Sequence, residues 1–330
     1  MKKIILTTAL ILIAGAIVIL LGQQDKQTKH VNSTLESANT DLVLTGDKIM
    51  QPLMEIWYDA CPDNLSEIKL SFEASEAGAD LENLKSGNKG MVMYSGTGLA
   101  LLEDLNVWQL KVAREAVVPV FNNTGGFADE VKKKGLTQDQ LIRIFTSDNP
   151  VTWGELLDTD NADPVHAFIL DKGNGASDVW ARFLFTEAEN LKGRVMDTDE
   201  AMVEAVSGDP LAIGFCNLKY AYNLETKMPV EHLGILPLDL NVNGKIDYKE
   251  RIPEDLKSMQ RVIWLGSYPN NLCRPLWLLA REKPEDPQLQ NFLTWILTDG
   301  QNLACDNGYC RLRSIERDCQ LNCLKPQAIK

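Results

Sequence analysis

The densest run of oxygen-bearing side chains lies at residues 239–250, DLNVNGKIDYKE. Asp239, Asn241, Asn243 and Asp247 fall at positions 1, 3, 5 and 9 of the calcium-loop template. Gly244 takes position 6, Ile246 the aliphatic position 8 and Glu250 position 12. In such a loop alternating side chains converge on one hard cation, the glycine permits the sharp turn, Lys245 offers its backbone carbonyl, and the glutamate closes the shell with both oxygens. Ca2+ in a structural role is the expected occupant. The plainer alternative is an Asx- and Gly-rich surface loop without metal. Residues 234–238 read as a strand rather than an entering helix, so the loop is expected to be pinned by calcium and not to act as a switch.

Three strand-to-helix turns carry a different chemistry. Thr45, Gly46, Asp47 and Lys48 form the first; Ser75 opens the second, ending at Gly78; Lys172, Gly173, Asn174, Gly175, Ala176 and Ser177 form the third. Helix N-termini present unpaired backbone N–H groups and the positive end of the helix dipole, so each turn is a candidate seat for a small anion. Any α/β chain also needs glycine and a capping Ser, Thr or Asp at such turns, and only the joint arrangement of the three is informative.

Catalytic constellations are not evident. The three histidines, His30, His166 and His232, have no serine or cysteine motif beside them, and there is no GxSxG elbow, HExxH pair or P-loop. Cys216 follows an apolar strand run and reads as core. The seven tryptophans fall mostly at core spacing and read as packing. A binding protein is expected rather than an enzyme.

A net charge of −13 argues against nucleic acid, whose phosphate backbone is held by clustered Lys and Arg. At the N-terminus Lys2 and Lys3 precede an apolar run at residues 4–22, and residues 23–40 form a polar stalk. Nineteen apolar residues suffice to cross a bilayer with the lysines inside, and small residues do not precede a cleavage point. The expectation is a protein on the periplasmic or extracellular face, tethered to the membrane by an uncleaved anchor, with a cleaved signal as second choice. Seven cysteines in an exported chain invite disulfides, and Cys305, Cys310, Cys319 and Cys323 are expected to form two local bridges.

From residue 42 the chain repeats a short apolar strand, a glycine turn and an amphipathic helix, the pattern of an α/β protein. Strands are expected at residues 68–72, 91–94, 167–170 and 212–215. Thr137 with Gln140, and Thr152 with Glu155, read as capping boxes, and Ser177 as the cap of the helix after the third turn.

Several segments resemble the phosphate-binding proteins of bacterial phosphate ABC transporters, type II periplasmic binding proteins. These are GLTQDQLIRIF at 135–145 followed by WGEL at 153–156, AIGF at 212–215, RPLW at 274–277 and DGQ at 299–301. The resemblance implies a two-lobed fold with a hinge and an interlobe cleft, lobe 1 from 41–119 and 273–330, lobe 2 from 120–272. It implies hinge segments near 118–121 and 274–277, a small anion as ligand and an ABC permease as partner. It retains Ser75 and Ser95 as ligand residues. The family's turn hydroxyls are replaced at Asp47, Lys48, Asn174 and Ala176, and the arginine three residues before Gly173 is Leu170. Asp47 and Glu76 are acceptors when ionised, whereas a buried dianion needs donors, which Lys48 and Lys172 supply in part. Phosphate, another polar solute, and a calcium-stabilised interaction module that has lost phosphate binding all remain readings.

Overall fold

The computed structural model describes residues 40–63, 65, 68–73, 84, 90–96 and 106–325. The N-terminal apolar run, the stalk and the turn holding Ser75 and Glu76 lie outside the described residues, as does the side chain of Lys48. Among the described residues no helix is long and apolar enough to cross a membrane.

Among the described residues nine strands form one sheet: β1 (Thr40–Gly46), β2 (Ile68–Phe72), β3 (Met91–Ser95), β4 (Trp108–Asn122), β5 (His166–Leu170), β6 (Arg194–Met196), β7 (Ala212–Asn217), β8 (Leu233–Ile235) and β9 (Cys273–Ala280). Their order is β2-β1-β3-β9-β4-β7-β5-β6, with β8 added beside β4. β1 and β3 are parallel, as are β5 with β6 and with β7, while β4 and β9 run antiparallel to their neighbours. Strands of this kind, buried on both faces, need near-continuous apolar runs, and the AIGFCN of β7 is buried throughout.

The helices that cover the sheet begin with α1 (Gln51–Ala60), α2 (Ala128–Lys134), α3 (Gln138–Thr146), α4 (Trp153–Leu157), α5 (Gly175–Phe183) and α6 (Asp199–Gly208). They continue with α7 (Leu256–Leu265), α8 (Pro287–Leu297), α9 (Gly300–Asp306) and α10 (Ser314–Leu324). Both expected capping boxes form: Thr137 and Gln140 open α3, and Thr152 and Glu155 open α4, each pair satisfying two backbone donors reciprocally. The cap of α5 differs from expectation. Asn174 takes that role, its side chain accepting from the Ala176 N–H, and Ser177 lies inside the helix.

Two large hydrophobic cores meet on β4 and β9. Leu110, Val112 and Ala113 pack with Trp57, Leu276, Phe292 and Ile296 in one core. Ala116, Val118 and Phe121 pack with Trp153, Trp180, Phe215 and Cys273 in the other. The change of core falls at residues 113–116 on β4 and 273–276 on β9, so residues 118–121 are interior to the second core.

All seven cysteines are free, so the expected local bridges are not formed. Cys310 is turned into the second core with Cys216 and Cys273, whereas Cys319 and Cys323 sit exposed on α10. Burial keeps the core thiols protonated, raising Cys216 and Cys310 well above the ordinary value and Cys273 to about 11.

Candidate functional site

The first glycine turn follows β1 because the chain must reverse against β3 there. Gly46 has φ +103°, and a Cβ at this position would stand 2.2 Å from the Met93 carbonyl oxygen. Only glycine fits. The next N–H, of Asp47, donates to that carbonyl at 2.8 Å. The Asp47 carboxylate accepts from the Ile49 N–H at 3.1 Å through one oxygen and from the Ser95 hydroxyl through the other. Asp47 and Ser95 are thus brought together, but bonded to each other. Thr45 is the penultimate residue of β1, and Lys48 opens a single 3-10 turn.

At the third turn Asp171 accepts from the Gly173 N–H at 3.0 Å and Asn174 caps α5. Ser177 is fully buried, and its hydroxyl donates to the carbonyls of Leu170 and Asp171 at 2.8 and 3.1 Å. That hydroxyl holds the turn together. Ala176 is buried as well, while Lys172 is exposed with no ion pair among the described residues.

Sequence reasoning missed the group that gives this turn its character. Arg274, on β9, is 1% exposed, and its Nη1 lies where a Cβ on Gly175 would be 2.2 Å away. Glycine at 175 therefore lets the helix start against a guanidinium. Nε and Nη2 of Arg274 donate to one oxygen of Glu115 at 3.1 and 2.8 Å, and Nη2 also to Asn217 at 3.2 Å. Asn217 in turn donates to Asp199, which accepts from the Asn174 amide at 3.2 Å, so the chain of polar contacts returns to the cap of α5. Arg274 Nη1 and the Gly175 N–H donate to no protein group among the described residues. One signal was readable: a charge inside the apolar run CRPLWLLA must be paired if that run is a buried strand.

Tyr309 joins the end of the first turn to Lys219. Its hydroxyl donates to the Ile49 carbonyl at 3.0 Å and accepts from Lys219 Nζ at 3.1 Å. Burial raises its pKa far above the ordinary value, helped by Glu115 and Asp47 and opposed by Arg274. Burial lowers the Lys219 ammonium, against the pull of Glu115 and Asp199. Burial raises the Glu115 carboxyl more than Arg274 lowers it, and its second oxygen has no hydrogen-bond partner. Donors and carboxylates are therefore interleaved around one tyrosine.

The 239–250 loop stands apart. Asp239 is 3% exposed and accepts from the N–H groups of Asn243 and Gly244, and Glu250 accepts from those of Leu240, Asn241 and Asp247. Asp247 accepts from the side-chain amides of Asn241 and Asn243 at 2.9 Å each, which lowers its pKa, and Lys245 Nζ lies 3.7 Å from its other oxygen. Gly244 adopts φ +78°. The carboxylates are gathered on one turn, each already satisfied by the loop's own donors. Among the described residues no group of three or more His, Cys, Asp or Glu side chains has a metal-holding arrangement.

A model described as the PBP superfamily domain matches residues 32–300. The chain belongs to the PBP superfamily. A search of curated proteins finds no match. Among solved structures, this PBP-superfamily chain has the fold of a possible phosphate-binding protein from Planctomyces limnophilus, 18% identical over 87% of this chain and 98% of that one, TM-score 0.59. A substrate-binding protein from Clostridium perfringens, crystallised with phosphate bound, is 17% identical over 83% and 100%, TM-score 0.61. An ABC-type phosphate transport receptor from Vibrio cholerae is 14% identical over 82% and 99%, TM-score 0.58. The fold is that of the type II periplasmic binding proteins, a family of solute-binding proteins.

Proposed function

We propose that the protein captures a small oxyanion, phosphate first, between two lobes and delivers it to an ABC permease. The observation that carries this reading is the pairing of Arg274 Nη1 with the open N-terminus of α5 at Gly175: two unpartnered donors and a helix dipole directed to one place. Lys219 adds a second cation nearby through Tyr309. In this reading the two lobes meet where β4 and β9 change core, at residues 113–116 and 273–276, and residues 1–22 tether the protein to the membrane on its outer face. The test is thermal unfolding of the soluble part against phosphate, sulfate, molybdate and neutral solutes. Ligand at about a hundred times its Kd should stabilise by about 2.7 kcal/mol. Gly175→Ala, which drives a methyl group into Arg274, should abolish the response. No shift with any oxyanion would sink the reading.

We further propose that the 239–250 loop holds calcium as a structural ion. The backbone bends that collect Asp239, Asp247 and Glu250 on one turn support it. Native mass spectrometry of protein purified without chelator should show one bound calcium, lost in Glu250→Gln. A mass equal to the bare chain at millimolar calcium would count against the site.

A further inference from the structure

A cavity of about 740 Å³ opens between α7, α9 and the segment that follows α9, and none of its lining residues belongs to either glycine turn. Lys257, Arg261 and Arg311 line it, against a single carboxylate, Asp306. The three cations are exposed, and among the described residues none of them forms an ion pair. This inverts the sign of the molecule, whose formal net charge is −13. Unpaired like charges around one concavity repel each other and focus a positive potential into it, and an anion inside relieves both.

The walls are already in place. The buried Gln260 amide donates to the carbonyls of Cys305 and Tyr309 at 2.8 and 2.7 Å, fixing α7 to α9 and to the segment after it. Trp264 Nε1 donates to the Leu312 carbonyl at 3.3 Å, and Arg313 Nε to the Trp264 carbonyl at 3.1 Å. The Arg311 guanidinium stands 5.3 Å from the centre of the Trp264 ring, so it is held as a planar surface at the rim. The volume falls inside the range of about 300–1,000 Å³ typical of small-molecule sites, and a lone inorganic ion would leave most of it empty.

We propose that this cavity is a second ligand site, for a small organic polyanion bearing two or more carboxylate or phosphate groups. The experiment is isothermal titration calorimetry of the folded protein with benzene-1,3,5-tricarboxylate and with fructose 1,6-bisphosphate, which separate a carboxylate from a phosphate ligand. At least one should bind, and the triple variant Lys257→Ala, Arg261→Ala, Arg311→Ala should lose about tenfold or more in affinity, since its charge-assisted hydrogen bonds are gone. Gly175→Ala should leave this binding unchanged, which separates it from the oxyanion seat. Cys305 lines the cavity, so the ligand should slow its alkylation but not that of the exposed Cys319. Arg261→Glu, at an exposed position, serves if the triple variant fails to fold. Binding of neither probe below about 1 mM at about 0.15 M salt, or equal affinity in the charge variants, overturns the proposal.

Discussion

Arg274→Met tests the buried ion pair behind the proposed anion seat. The wild-type guanidinium places two hydrogen bonds on Glu115 and one on Asn217, with both charged side chains no more than 2% exposed. Methionine fills similar volume but leaves a carboxylate with neither oxygen paired, since the second has no partner even in the wild type. Breaking a buried pair from one side costs about 3–5 kcal/mol, against a total stability of roughly 5–15 kcal/mol. Urea unfolding followed by fluorescence of the seven tryptophans reads this directly. With a slope of about 3 kcal/mol/M the midpoint should fall by roughly 1–1.7 M. Removing the orphaned charge as well, in Arg274→Met with Glu115→Leu, should restore most of the loss, because an apolar pair of similar volume is often as stable as the ion pair it replaces. The Glu115 carboxyl already sits above its ordinary value through burial, with Arg274 opposing. A carboxyl raised on folding contributes stability below its unfolded pKa and loses it as pH rises through the folded one. Without Arg274 that folded value climbs further, so Arg274→Met should be more damaging at pH 8 than at pH 5. A cost under about 1 kcal/mol at pH 8, or a double variant equal to the sum of the singles, would refute the reasoning.

Two other perturbations follow from local geometry. Gly46→Ala places a methyl group 2.2 Å from the Met93 carbonyl at φ +103°, and thermal unfolding should show a loss of about 2 kcal/mol or more. Alkylation of the native protein at pH 8, mapped by mass spectrometry, should label Cys319 and Cys323 first and spare Cys216, Cys273 and Cys310, whose thiols burial holds in the protonated form. Equal labelling of all seven would show that the second core is open.

Local chemistry explains what the sequence revealed of the fold. A capping box is closed within four residues, so Thr137 with Gln140 and Thr152 with Glu155 are readable without knowing the neighbours. Strand runs such as AIGFCN announce burial by composition alone. The cap of α5 was less determined, because Asn174 and Ser177 are both capping types. The choice falls to Asn174 because the Ser177 hydroxyl is taken by the carbonyls of Leu170 and Asp171, a tertiary circumstance. The cysteines misled for a similar reason. Their spacing places four of them close along the chain, but Cys310 pairs its backbone with Arg114 on β4 and so enters the core.

The site was legible as turns and illegible as chemistry. Gly46 and Gly175 are visible in the sequence, yet the reason each must be glycine lies elsewhere, in the Met93 carbonyl and in Arg274. Arg274 and Glu115 are 159 residues apart, and each reads as an ordinary surface charge until its strand is known to be buried. The same distance hides the electrostatic balance. Read along the chain, the turn residues offer Asp47 and Glu76 as acceptors against the lysines, and phosphate, another polar solute and a lost site all stay open. Once folded, the fixed guanidinium and Lys219 stand among carboxylates, with Asp47 and Glu115 acting on Tyr309 and Asp199 on Lys219. Two of those carboxylates are occupied internally: Asp47 by Ser95 and the Ile49 N–H, and Asp199 by Asn217 and Asn174. What faces the N-terminus of α5 is therefore a donor, Arg274 Nη1. This is why a turn that has lost the family's hydroxyls can still be a seat for an anion.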